Sequence, residues 1–181
     1  MSLRDFVERV TKALDDCGIP YMVCGSVAST FHGRPRTTQD VDIVIEVDAA
    51  KLEKLLPHFP DDTYYVNDET ARFAVRRRSM FNVIDGTTGW KADLIVRKQT
   101  PFAEAEFARR QTVDFLGLSV VMATAEDCVI SKLQWAVAGG SDRQIEDVRS
   151  VVEVRGDSLD RKYIESWVAR LGLEEVWLRV G

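Results

Sequence analysis

Two aspartates one residue apart constrain this chain more than any other feature. In the run Asp40-Val41-Asp42-Ile43-Val44-Ile45-Glu46-Val47, the parity Val41, Ile43, Ile45 and Val47 is wholly apolar. That is the period-two pattern of a strand with one face packed against a helix. Successive side chains on a strand point to opposite faces, so Asp40 and Asp42 lie side by side, about 7 Å apart. Carboxylates held in this way repel one another unless a cation sits between them. Hard oxygen ligands of this kind suit Mg²⁺, which takes one or two carboxylates together with substrate phosphates.

The segment upstream supplies a matching half. Tyr21-Met22-Val23-Cys24 reads as a short apolar strand, and Gly25-Ser26 as a turn into a short helix. Glycine permits a sharp turn and a close approach of the backbone to a ligand. Ser26 is expected at the helix N-cap, with free backbone N–H groups and the positive end of the helix dipole behind it. Phosphate oxygens suit that setting. A phosphate cradle and a carboxylate pair joined by one helix point to nucleotide chemistry. Arg36 and Thr38, in the loop before the first aspartate, can reach phosphate or the acceptor, since arginine offers a bidentate fork.

Gly25-Ser26, a gap of thirteen residues and then Asp40-Val41-Asp42 resembles the signature of the polymerase-beta-like nucleotidyltransferase superfamily. Within it, the stretch HGRPRTTQDVDIVIE is most similar to small bacterial nucleotidyltransferases related to type IV toxin–antitoxin toxins, with a longer loop over 33–39 than is usual there. The resemblance implies that the Gly-Ser pair holds the triphosphate of an NTP and that the two aspartates bind two Mg²⁺ ions. It also implies a third carboxylate on a neighbouring strand, which completes the site and helps activate the attacking hydroxyl. Asp93, an acid in the middle of a strand over Trp90 to Val96, is the candidate. The stretch SKLQWAVAGGSDRQIEDV is similar to the part of the family where a lysine contacts the phosphates and a later aspartate supports the site. That match makes Lys132 the phosphate lysine and Asp147 the supporting acid. Read without the resemblance, Lys132 is a surface lysine with its stem laid along an apolar helix.

Composition narrows the alternatives. The 181 residues are 45% hydrophobic and carry a net charge of -5, a balance that argues against a dedicated, salt-driven DNA binder though not against a local basic patch. Arg76-Arg77-Arg78 reads more readily as a solvated helix face than as an RNA patch. Cys17, Cys24 and Cys128 are odd in number and scattered, as expected of reduced thiols in a cytoplasm. No stretch approaches eighteen apolar residues and no signal peptide precedes the first charged helix, so no membrane role is expected and the cytoplasm is the expected location. His32 and His58 form no zinc-type cluster. P-loop and dinucleotide fingerprints are absent, and Cys24-Gly25-Ser26-Val27-Ala28 lacks the second glycine of a nucleophile elbow.

Elsewhere the spacing predicts helices over Leu3 to Cys17, after Asp48, within Asn67 to Ser79 and over Pro101 to Arg110. It predicts strands over Met80 to Ile84 and Trp90 to Val96, then a hairpin from Thr112 to Met122. Thr124-Ala125-Glu126-Asp127 resembles a capping box, opening a helix with a buried stripe of Val129, Ile130, Leu133 and Val137. Further helices follow from Ser141 and over Leu159 to Leu171. Strands alternating with helices and then a helical tail predict an α/β (α+β) fold, a mixed nucleotidyltransferase-type sheet flanked by helices with a C-terminal helical cap. The expected boundaries are 1–123 for the catalytic domain and 124–181 for the helical subdomain. The expected activity is Mg²⁺-dependent transfer of a nucleoside monophosphate from an NTP to a hydroxyl of RNA, a protein or a small molecule, with pyrophosphate leaving. A catalytically silent nucleotide-binding or partner-binding module, antitoxin-like, is the alternative.

Overall fold

The computed structural model describes residues 2–181. The helices are α1 (Leu3–Asp16), α2 (Gly25–His32), α3 (Ala49–Leu55), α4 (Asp68–Arg77), α5 (Pro101–Arg109), α6 (Ala125–Gly139), α7 (Asp142–Arg155), α8 (Arg161–Leu171) and α9 (Glu174–Leu178). The strands are β1 (Tyr21–Cys24), β2 (Asp40–Ile45), β3 (Tyr64–Tyr65), β4 (Met80–Asp85), β5 (Lys91–Val96), β6 (Gln111–Phe115) and β7 (Leu118–Met122). They form one mixed sheet in the order β3-β4-β5-β2-β1-β7-β6. The pairs β2/β5 and β1/β7 are parallel and the rest antiparallel.

Local chemistry sets most helix starts. Asp48, Asn67, Thr100 and Asp160 each accept, through the side chain, the N–H three residues on, which satisfies one of the free donors of a first turn. Thr124 does the same for Asp127, but its hydroxyl donates back to the Asp127 carboxylate at 2.6 Å. The predicted capping box is therefore half formed, because an aspartate at this position is drawn to the hydroxyl. The last predicted helix begins at Arg161, after its Asp160 cap, and is followed by α9, which the spacing did not reveal. Val137 is a second correction: it is 61% exposed, and Ala136 takes its place in the core.

One face of the sheet is apolar and closed. Val41, Ile43, Ile45, Phe81, Val83, Ala92, Leu94 and Val96 pack there with residues of α1, α2, α3 and α4. A second cluster joins Phe102 to Val129, Ile130, Leu133, Ile145, Val148, Ile164 and Trp167 of the C-terminal helices. On the opposite face of the sheet, Phe107 of α5 packs with Met22, Cys24 and Val44. The charged ends of β2 and β5 share that opposite face. Among the described residues no helix is long and apolar enough to cross a membrane.

Candidate active site

The strand register brings the acids together. Because β2 and β5 run parallel in register, Asp42 lies beside Asp93 and Asp40 beside Lys91. The flanking strands set Asn82 beside Asp93 and Cys24 beside Asp42. Asp93 is buried, Asp42 half-buried and Asp40 exposed. Asn82 donates its amide N–H to Asp93 Oδ1. Lys91 Nζ donates to Asp93 Oδ2 at 3.2 Å and lies 3.4 Å from Asp40 Oδ1. Burial pushes the Asp42 carboxyl above its ordinary value, and the charges of Asp93 and Asp40 add to this against the Ser26 N–H and Lys132. The site holds more negative charge than its own groups neutralise comfortably.

Gly25 is where the chain turns over this pair. Its φ is +58°, and a Cβ built there would stand 1.9 Å from Asp42 Oδ2. The close approach foreseen for a ligand is made first by Asp42. The expected N-cap role of Ser26 is not what the structure shows. Helix α2 opens at Gly25, with Cys24 as N-cap and no side chain capping it. Positive φ at Gly25 swings the first turn one residue early, so Ser26 points its N–H at Asp42 Oδ2, 3.4 Å away.

The hydroxyl of Ser26 belongs to a second group. It accepts from Arg36 Nη2 at 2.8 Å, while Arg36 grips Asp147 through Nε and Nη2 at 2.8 and 2.9 Å. Lys132 Nζ lies 2.7 Å from Asp147 Oδ2 and donates to Gln144 at 2.9 Å. Burial works to raise the Asp147 pKa, but the hydrogen bonds from Arg36 and Lys132 outweigh it and hold the carboxyl below its usual range. Lys132 is 4% exposed, so it is no snorkelling surface lysine. Its charge also reaches Asp42, which joins the two groups into one site. Thr38 stands apart: its hydroxyl donates to the Asp40 carbonyl and accepts the Asp40 N–H, fastening the start of β2.

Asn82, Lys91 and Gln144 were not foreseen. Lys91 shares the parity of Asp93, which was the one signal available for it. Among the described residues no three His, Cys, Asp or Glu side chains converge as a ready metal cluster; the Lys91 ammonium stands between two of the three carboxylates instead.

A mixed sheet with acids on adjacent β2 and β5, and a Gly-Ser turn heading the helix between β1 and β2, is a fold shared with solved nucleotidyltransferases. Solved structures of that kind match along nearly the whole chain. ANT(2″)-Ia in complex with adenylyl-2″-tobramycin gives a TM-score of 0.59 at 15% identity, covering 96% of this chain and 97% of that one. An antigenic nucleotidyltransferase-like protein from Paracoccidioides brasiliensis gives 0.56 at 21%, covering 94% and 90%. The lincosamide antibiotic adenylyltransferase LnuA, bound to lincomycin, gives 0.56 at 9%, covering 85% and 98%. At such identities the likeness is one of fold. No protein-family model matches the sequence, and no curated protein matches it.

Proposed function

We propose that this chain is a Mg²⁺-dependent nucleotidyltransferase that moves a nucleoside monophosphate from an NTP to a hydroxyl group and releases pyrophosphate. One observation carries the reading: Asp40, Asp42 and Asp93 share one face of two paired strands, beside a Gly-Ser turn backed by Arg36 and Lys132. The donor set suits hard divalent cations, because it is all carboxylate oxygen and its carboxylates crowd one face, where burial and then the charges of Asp93 and Asp40 raise the Asp42 pKa. Asp40, Asp42 and Asp93 would hold two Mg²⁺ ions, whose chemistry when bound is to neutralise phosphate charge and align the attacking and leaving oxygens.

The chain's own groups divide the remaining work. The backbone of Gly25 and Ser26 receives the β- and γ-phosphates at the head of α2. Lys132 and Arg36, already held by Asp147, offset the negative charge that grows on the departing pyrophosphate. Asp93, fixed by Asn82, orients the acceptor hydroxyl and takes its proton as the new O–P bond forms and the bond between the α-phosphorus and its bridging oxygen breaks.

A small hydroxylated molecule is the acceptor this reading favours. Two structural neighbours, ANT(2″)-Ia with adenylyl-2″-tobramycin and LnuA with lincomycin, cover 96% and 85% of this chain. The kinship with toxin–antitoxin proteins suggested by the Asp40 region would instead favour an RNA end. The test is to incubate the protein with each α-³²P-labelled NTP, Mg²⁺ and a total cell extract, with Asp40→Ala/Asp42→Ala as control. Label in a small molecule supports the favoured acceptor, and label in RNA or protein replaces it. Nucleotide bound with no transfer in any fraction would overturn the catalytic reading in favour of a binding module.

A further inference from the structure

Lys91 has no role in the chemistry above, yet the strand register holds it among the carboxylates. In-register pairing places it directly beside Asp40, and strand alternation places it on the same face as Asp93, two residues on. Its Nζ lies 3.4 Å from Asp40 Oδ1 and 3.2 Å from Asp93 Oδ2. The side chain is 31% exposed, so it is not locked into the core.

We propose that Lys91 is a resident counter-ion: it holds Asp40 and Asp93 together when no divalent cation is bound, gives way when one binds, and thereby sets the site's metal affinity. The reasoning is electrostatic. Asp40, Asp42 and Asp93 sit close on one face and repel one another, and a single ammonium relieves part of that repulsion. A divalent cation relieves more of it, but it needs the oxygens that Lys91 holds and repels the ammonium it meets there. The two cations therefore compete. Once displaced, the flexible four-carbon stem of lysine can carry its charge toward the incoming triphosphate, so metal and nucleotide would favour one another's binding. Lys91 is in this sense a positioning residue for the carboxylates.

The inference rests on the nucleotidyltransferase reading for the metal, and the test separates the two. Mn²⁺ binding is followed by the loss of the free-ion electron paramagnetic resonance signal, using the full chain, Lys91→Gln, Lys91→Arg and the Asp40→Ala/Asp42→Ala control. Thermal unfolding is measured in parallel in EDTA. Lys91→Gln is expected to bind Mn²⁺ at least about three-fold more tightly than the parent, yet to unfold at a lower temperature in EDTA. Lys91→Arg, which keeps the charge, is expected to stay close to the parent in both. Mn²⁺ retained by the parent but bound no more tightly by Lys91→Gln would overturn the counter-ion proposal alone. Mn²⁺ held no better by the parent than by the double-aspartate control would overturn the metal reading and this proposal with it.

Discussion

A methyl group on Gly25 would stand 1.9 Å from Asp42 Oδ2, on a residue whose φ of +58° lies in the left-handed region. A side chain in that region costs about 1–2 kcal/mol, which a domain of this size survives. The nearer consequence is that Asp42 as a whole must shift, because its Cγ and Cβ would also lie 2.5 and 2.8 Å from the added methyl. Gly25→Ala is therefore expected to lose stability in a urea titration, because β2 must give as well, and to lose at least about ten-fold in kcat/KM; undiminished transfer would show that Asp42 can shift without harm. Asp93 makes a cleaner case, because Asn keeps the oxygen that accepts from Asn82. Asp93→Asn should bind NTP nearly as the parent does and lose transfer by about a hundred-fold or more, the scale of a lost general base. The pair Asp40 and Asp42 was legible because a strand's alternation is local. Asp93 needed a resemblance as well as a pattern, and Lys91 went unread because its parity with Asp93 does not reveal Asp40, which only the long-range β2–β5 register brings beside it.

At the scale of an element, α2 is held at both ends, and its far end titrates. His32 is buried, with Nε2 2.8 Å from the Ala123 carbonyl and Nδ1 2.8 Å from Arg155 Nη2. Arg155 can only donate, so Nδ1 accepts and the ring's proton sits on Nε2. A second proton would face Arg155 with no acceptor left between them. Burial lowers the His32 pKa, the Ala123 carbonyl opposes that, Arg155 lowers it further and Glu126 pulls the other way. With a depressed folded value, the unfolded chain takes up the proton first. Stability is then fully present above pH 6.5 and drains away as the pH falls below it, by no more than about 1.4 kcal/mol per pH unit. His32→Gln can make both hydrogen bonds without titrating. Its melting temperature should fall less than the parent's between pH 7 and 5.5, and parallel curves would sink the idea. Helix caps such as Asp48 and Thr124 were legible because they act three residues away. The start of α2 was not, since it depends on Asp42 pressing against Gly25, and the two-residue β3 offers no period to detect.

Across the whole molecule, the site lies where the sheet half meets the helical half. Ser26 and Arg36 come from one side and Lys132 and Asp147 from the other. Strands alternating with helices and then a helical tail were visible in the order of patterns along the chain, but the contacts between sheet and tail were not, because they are made of polar side chains without periodicity. Glu106 is one of these, 8% exposed on α5, accepting from Ser131 of α6 at 2.7 Å. Burial pushes its carboxyl up to about 7, against the Ser131 hydrogen bond and with help from the Asp127 charge. Here the sign is opposite to that of His32. The folded chain keeps a proton that the unfolded chain has lost above its ordinary value near 4.5. Stability attached to Glu106 is thus complete in acid, declines as the pH rises, and is gone above about 7. Glu106→Gln keeps an oxygen for Ser131 and removes the titration. In urea titrations it should match the parent at pH 4.5 and exceed it at pH 8 by about 3 kcal/mol. Equal stability at both pH values would mean that Glu106 ionises in place, its charge met by water at the seam.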